Sequence, residues 1–287
     1  MKIIDILNSR EVTLSFEVFP PKTEEGFLSV EQATEQIASL RPDFMSVTYG
    51  AGGGTSAHTA RIAADVQQKY GTNVLAHLTC VSSTREKVRG MIETYKENGI
   101  DNIMALRGDI PPEGRTVFDY DHASELIYDI KSIDDHFCIG GACYPEGHVE
   151  CERQSEDIRH LKEKVDAGCD FLTTQMFFDN ATMYSFMYRI REAGIEVPVI
   201  AGIMPITSPA QVRRSVALSG ATIPQRFRAM VDRFGDDPWS MKQAGVVYAA
   251  EQIVDLISNG VTHIHVYTMN KPEIAASIQN SLSSIWK

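Results

Sequence analysis

Glu17 is the residue with the clearest chemical potential. It lies in Ser15-Phe16-Glu17-Val18-Phe19, and strand alternation puts Ser15, Glu17 and Phe19 on one face. A carboxylate walled by aromatic and aliphatic groups has its charged form disfavoured, so its pKa rises. A carboxyl that keeps its proton near neutral pH can act as a general acid. The alternative is a structural ion pair with a nearby Lys or Arg. Arg107-Gly108-Asp109-Ile110-Pro111-Pro112 sets a glycine between opposite charges, ahead of a rigid turn. Gly108 would let backbone approach a ligand closely; a local Arg107–Asp109 pair is the plainer reading. His77, in Leu75-Ala76-His77-Leu78-Thr79, reads as a site residue or as a satisfied core histidine. Arg159, His160, Lys162 and Lys164 form a basic stretch on one helix. It is either a solvated face or a seat for phosphate, which lysine meets as a point charge. Tyr144, in Tyr144-Pro145-Glu146-Gly147-His148, could stack on a planar ring, whereas Met176-Phe177-Phe178 reads as packing.

These residues share a position relative to the elements that carry them. Eight apolar or β-branched runs predict strands: Val12–Phe19, Phe44–Tyr49, Val74–Cys80, Ile103–Arg107, Phe137–Cys143, Phe171–Gln175, Val197–Ile203 and His263–Tyr267. Most begin roughly 30 residues apart, the length of one βα unit. Helical spacing lies between them. Val30, Ala33, Thr34, Ile37 and Leu40 follow Ser29 as N-cap; Val88, Met91, Ile92 and Tyr95 follow a capping box in Ser83-Thr84-Arg85-Glu86. Ile158, Leu161 and Val165 follow Ser155, and Ser208-Pro209 opens another helix. Gly71, Gly99, Gly168, Gly194, Gly220 and Gly260 fall where helices should stop. Eight such units predict an α/β fold, a (β/α)8 TIM barrel over residues 1–287 as one catalytic domain. The stretch from Ile223 to Gly260 predicts an extra helix before the last strand. The rival, an open doubly wound sheet, would show Gly-x-Gly-x-x-Gly after its first strand; Ala51-Gly52-Gly53-Gly54 lacks that spacing. In a barrel the active site lies at the C-terminal strand ends. Glu17, Thr48 and Tyr49, His77 and Thr79, Arg107 and Asp109, Tyr144 with Glu146 and His148, Thr174 and Gln175, and Tyr267 with Thr268 and Asn270 all end runs at that mouth.

Composition narrows the function classes. The 287 residues include 27 Lys and Arg against 38 Asp and Glu, a net charge of −11, which argues against nucleic acid and anionic membrane as partners. With 43% hydrophobic and 23% charged residues the chain is globular, and no run is apolar for the ~18 residues of a membrane span. Cys80, Cys138, Cys143, Cys151 and Cys169 show no metal spacing and read as reduced thiols of a cytoplasmic protein; no metal site is expected.

Six motifs, taken in order, resemble the methylenetetrahydrofolate reductase family. They are Ser15-Phe16-Glu17-Val18-Phe19-Pro20-Pro21-Lys22, Ser46-Val47-Thr48-Tyr49-Gly50-Ala51, His77-Leu78-Thr79-Cys80, Ala105-Leu106-Arg107-Gly108-Asp109, Tyr144-Pro145-Glu146-Gly147-His148 and Thr174-Gln175-Met176-Phe177-Phe178-Asp179. The length resembles the bacterial catalytic form. The resemblance implies a barrel holding non-covalent FAD and reducing 5,10-methylenetetrahydrofolate to 5-methyltetrahydrofolate with NADH or NADPH, a step of one-carbon metabolism and methionine biosynthesis. It implies Glu17 as general acid, Asp109 near both flavin and pterin, and Gln175 in contact with folate and nicotinamide in turn. It assigns Thr48, Tyr49, Ala51, His77, Arg107, Gly108, Asp109, His122, Ala123, Tyr144, His148, Asp157, His160 and Lys164 to FAD, and Gln211 and Lys271 to the folate. His122 stands where the family pattern has tyrosine. Lys271 stands where the bacterial pattern has arginine, keeping a positive charge for the folate's glutamate tail without bidentate geometry. A homo-oligomer is expected, with a partner reductase subunit as a further possibility. The alternatives are a flavin-binding electron-transfer subunit of a larger complex and, more remotely, a flavin-free barrel lyase or aldolase using Glu17.

Overall fold

The computed structural model describes residues 1–21, 23–49, 56–110 and 114–286. Eight parallel strands close in sequence order: β1 Thr13–Val18, β2 Phe44–Val47, β3 Val74–Thr79, β4 Asn102–Leu106, β5 Cys138–Cys143, β6 Phe171–Thr174, β7 Val199–Ile203 and β8 His263–Tyr267. Closure pairs β1 with β8, Glu17 opposite Tyr267. The (β/α)8 barrel expected from the eight runs is the observed fold, and every strand falls within or beside its run. The helices are α1 Ile3–Ser9, α2 Phe27–Ser39, α3 Ser56–Ala64, α4 Arg85–Glu97, α5 Ala123–Ile133, α6 Gln154–Asp166, α7 Asn180–Glu192, α8 Pro209–Ser219, α9 Gln225–Phe234, α10 Pro238–Ser258 and α11 Pro272–Ser281. None of them is long and apolar enough to cross a membrane.

Alternation along the strands decides what faces the barrel axis. Phe16 and Val18 point outward into the main apolar cluster beneath the helices, while Ser15 and Glu17 line the interior. The lower interior is filled by Phe44, Leu75, Met104, Cys138, Phe171 and Ile200, plugged from below by Ile3 and Leu7 of α1. Asn102 ties the plug on: its Oδ1 accepts from Ile3 N (2.7 Å) and its Nδ2 donates to Met1 O and Val74 O. Helix α1 has no counterpart in the expected elements, because seven residues are too few to display a helical period.

Several local expectations shift. Helix α2 starts at Phe27 rather than after Ser29, because a 3₁₀ turn at Glu24–Gly26 runs straight into it. The cap of α4 is Thr84, whose Oγ1 accepts from Lys87 N (3.1 Å), not Ser83, which is buried. Ser155 lies inside α6, one residue past its start. Two helices, α9 and α10, occupy the stretch where one was expected, divided at Gly235. Ser208 does cap α8 with Pro209 following, and all six helix-ending glycines have positive φ. The five cysteines are free, four of them buried.

Candidate active site

The C-terminal strand ends open into a cavity of about 910 Å³, at the upper end of ligand-pocket sizes. Of the eighteen residues singled out from the sequence, sixteen line it: Glu17, Thr48, Tyr49, His77, Arg107, Gly108, Asp109, His122, Ala123, Tyr144, His148, Asp157, His160, Lys164, Gln175 and Gln211. Ala51, with the turn through Gly54, lies outside the described residues, as do Lys22, Gly50, Pro111 and Pro112. Lys271 is not on the cavity wall. Its Nζ donates to Thr207 Oγ1 (3.3 Å), and Thr207 donates its own N–H and Oγ1 to Gln211 Oε1, so the two residues assigned to folate meet through one threonine.

Glu17 is half-buried and opens onto the cavity. Burial pushes its carboxyl up to about 8, so it carries a proton at pH 7. No Lys or Arg among the described residues pairs with it, unlike the structural ion-pair alternative. Its backbone is clamped instead: Thr268 Oγ1 donates to Glu17 O (2.7 Å), and Asn270 brackets Phe19 with bonds to its N and O (2.9 Å each). Beside it Tyr267 crosses the barrel and donates to Thr174 O (2.6 Å). Gly202 makes that crossing possible, since a Cβ there would meet Thr174 O and the Tyr267 ring.

Below Glu17 lies a layer of neutral polar groups. His265, missed from the sequence, is held between Ser15 Oγ (2.8 Å to Nδ1) and Ser46 Oγ (3.3 Å to Nε2). The alternation His263-Ile264-His265-Val266-Tyr267 is the signal that could have found it, because it puts 265 and 267 on one face. His77 is buried and lines the cavity with its Nε2 unpartnered. Burial pushes both imidazoles down to about 3, so both are neutral at pH 7. This buried ring nitrogen on the cavity wall has no partner among the described residues, which sets His77 apart from the satisfied core histidine of the alternative reading.

The wall from β4 to α6 carries charge. Arg107 does not pair with Asp109. Its two terminal nitrogens bond Glu150 at the rim (2.7 and 2.8 Å), while exposed Asp109 stands free of ion pairs among the described residues. Gly108, at φ +87°, lets the chain pass Thr79 and Val81, where a Cβ would collide. The close approach it allows is to its own barrel. The basic stretch divides: Arg159 pairs with Glu163 and Lys162 with Asp166 on the outside, whereas Lys164 turns inward and donates to Ala142 O (2.5 Å). Gly141 vacates the space that Lys164 occupies. Burial lowers the Lys164 pKa, and burial raises that of nearby Asp157, whose carboxylate accepts from His148 N. His122 and His160 stack at 5.1 Å on the rim, and Tyr144 meets His148 edge-on at 4.6 Å. Phe177 and Phe178 are packing residues, as expected, while Met176 lines the cavity.

The methylenetetrahydrofolate reductase profile matches residues 2–283. The 5,10-methylenetetrahydrofolate reductase of Escherichia coli K12 is 36% identical over 273 residues, covering 95% of this chain and 91% of that protein. That of Pectobacterium carotovorum is 34% identical over 271 residues, covering 94% and 90%. The chain belongs to the methylenetetrahydrofolate reductase family. A plant member, methylenetetrahydrofolate reductase (NADH) 1 of Arabidopsis thaliana, is 34% identical over 304 residues, and this reductase-family chain spans 51% of its length. Among solved structures, an uncharacterized protein from Clostridium thermocellum that binds two copies of 5-methyl-5,6,7,8-tetrahydrofolic acid aligns over 100% of this chain and 99% of its own, with a TM-score of 0.64 and 15% identity. An oxaloacetate acetylhydrolase complex aligns with a TM-score of 0.57 and 10% identity over 99% of this chain and 84% of its own. These two share the barrel fold.

Proposed function

We propose that this chain reduces 5,10-methylenetetrahydrofolate to 5-methyltetrahydrofolate, with non-covalent FAD, NADH or NADPH as donor, and Glu17 as general acid. The observation that carries the reading is a carboxyl that burial keeps protonated, without an ion pair among the described residues, facing a large cavity in a chain of this family. The cavity fits a flavin dinucleotide. It offers an orphaned imidazole nitrogen at His77, half-buried Lys164 with a carbonyl partner, and an arginine fork at Arg107. Arg107 and Lys164 suit the anionic pyrophosphate, and Thr48, Tyr49, His77, Gly108, His122, Ala123, Tyr144, His148, Asp157 and His160 complete the pocket. When bound, FAD supplies the two-electron hydride chemistry that no side chain here offers.

The chain's own residues do the rest. Glu17 donates its proton to a nitrogen of the folate's five-membered ring as that ring opens, and burial keeps the proton available at pH 7. Ring opening leaves a cationic iminium, which the Asp109 carboxylate stabilises electrostatically. Gln175, whose Oε1 accepts from Met176 N (2.8 Å), keeps its amide nitrogen for the ligand. Gln211, on the cavity wall, orients the folate's far end, and Lys271 supports it from behind through Thr207, adding positive charge on the side of the glutamate tail. A cytoplasmic homo-oligomer belongs to the same proposal; exposed Trp239, Val247 and Val254 along α10 support it, and light scattering tests it.

The test separates the two half-reactions anaerobically in a stopped-flow instrument. NADH or NADPH should bleach the FAD-loaded chain, and 5,10-methylenetetrahydrofolate should restore the colour. Glu17→Gln should keep the first step and lose about 10²- to 10⁴-fold in the second. Equal loss in both steps removes the acid role. Bleaching by neither nicotinamide removes the donor assignment and points to a partner reductase subunit.

A further inference from the structure

Arg107 and Glu150 meet at the cavity rim beyond the adjacent strands β4 and β5, 43 residues apart in sequence, in a parallel two-bond fork of 2.7 and 2.8 Å. The Arg107 Nε is engaged as well, donating to Gly108 O (3.1 Å). The Arg107 side chain is 23% exposed and that of Glu150 46%. Such a pair adds little to fold stability at this exposure. Nor is it needed to hold the loop that carries Glu150. Arg189 Nη2 donates to Pro145 O (3.1 Å), the Glu146 carboxylate accepts from Thr222 N (2.9 and 3.0 Å), and Gln154 Nε2 donates to Glu146 O (3.1 Å). Among the described residues, Arg107 is the only side chain bonded to the Glu150 carboxylate.

The surroundings say what the fork is for. The cavity lining carries six acidic side chains, one of them the protonated Glu17, against three Arg or Lys side chains. A ligand with anionic groups therefore depends on the few cations present, and one of them is already occupied by the chain's own acid. A carboxylate and a phosphate each present two oxygens to a guanidinium with the same spacing of donors, so they compete for it.

We infer that Glu150 is an internal stand-in for the anionic group of the cofactor: it occupies the Arg107 fork when the cavity is free, and a phosphate-bearing flavin must displace it to bind. The inference rests on the flavin reading and deepens it by naming the residue that sets cofactor affinity. Glu150 occupies the guanidinium on the β4–β5 side of the rim, and the entering phosphate takes it while Glu150 turns to solvent, which its exposure permits. Affinity for the dinucleotide is lowered by the fraction of molecules in which the fork is open. The hydrogen bonds from Arg107 hold the Glu150 carboxyl below the usual range, which favours the ionised form that competes for the guanidinium.

The experiment is equilibrium titration of the apo-chain with FAD and, separately, with riboflavin, which has no phosphate, followed by quenching of flavin fluorescence. Glu150→Gln and Glu150→Ala should bind FAD about tenfold more tightly than the wild type, as expected if the fork is closed in about nine molecules of ten. Riboflavin affinity should not change. In an Arg107→Met background the Glu150 substitutions should have no effect, since the competitor then has nothing to occupy. Unchanged or weaker FAD binding by both Glu150 variants overturns the inference and leaves the flavin reading standing. So does a tightening that extends to riboflavin or survives in the Arg107→Met background, because that would be a general effect of removing negative charge. A wild-type chain that takes up neither FAD nor riboflavin overturns the flavin reading and this inference with it.

Discussion

Replacing Glu17 by glutamine should make the apo-protein more stable at alkaline pH, and the effect can be sized from the site. Burial raises the Glu17 carboxyl from an ordinary 4.5 to about 8. The folded state therefore holds a proton that the unfolded chain has released, throughout the interval between those values. Stability falls with rising pH wherever the folded state binds more protons, so the wild type loses stability from pH 4.5 to 8 and levels off above. At about 1.4 kcal/mol for each tenfold change in proton affinity, the ceiling is about 5 kcal/mol. Glu17 opens onto a solvent-accessible cavity, and water there lowers the effective penalty to roughly 2–4 kcal/mol. Glutamine has nearly the same shape and no titration. The assay is urea denaturation of wild type and Glu17→Gln at half-unit steps from pH 5 to 9, without flavin or folate. The two stability curves should diverge as pH rises, with the variant ahead by roughly 2–4 kcal/mol at pH 9 relative to pH 5. Parallel curves would refute the claim that this carboxyl is held neutral by burial, and the general-acid assignment would lose its physical basis.

Two further outcomes follow from other parts of the molecule. Asn102→Ala should cost about 2–3 kcal/mol in denaturant unfolding, because three hydrogen bonds to Ile3 N, Met1 O and Val74 O are lost where α1 plugs the barrel; the amide of Ile3 should also exchange faster with solvent. Lys164→Met should weaken FAD binding about tenfold or more by removing a buried cation from the pocket, yet raise apo-protein stability at pH 7, since burial lowers the lysine's pKa and the charged amine is held at a cost. Fluorescence titration and thermal unfolding read the two effects separately.

What sequence alone determined here is whatever depends on neighbours a few residues apart. Alternation and period located all eight strands, the left-handed requirement placed the six helix-ending glycines, and strand polarity gathered Glu17, His77, Arg107 and Gln175 at one mouth. The helix starts at Ser29, Ser83 and Ser155 were off by a residue or more, because the path of the preceding chain sets where a helix begins: a 3₁₀ turn runs into α2, Thr84 rather than its neighbour Ser83 caps α4, and α6 begins from Arg153. Partner choice was decided by the closed barrel. Arg107 has Asp109 two residues away and pairs instead with Glu150 at a distance of 43 residues, because the β4 and β5 exits converge. Lys162 and Lys164 look alike in sequence, yet one faces solvent and the other enters the pocket through the gap left by Gly141. Burial makes His265 neutral, and its partners Ser15 and Ser46 reach it only when β8 closes against β1. The chemistry of this site comes from burial and from long-range pairing, and both are properties of the closed cylinder that no short window of the chain contains.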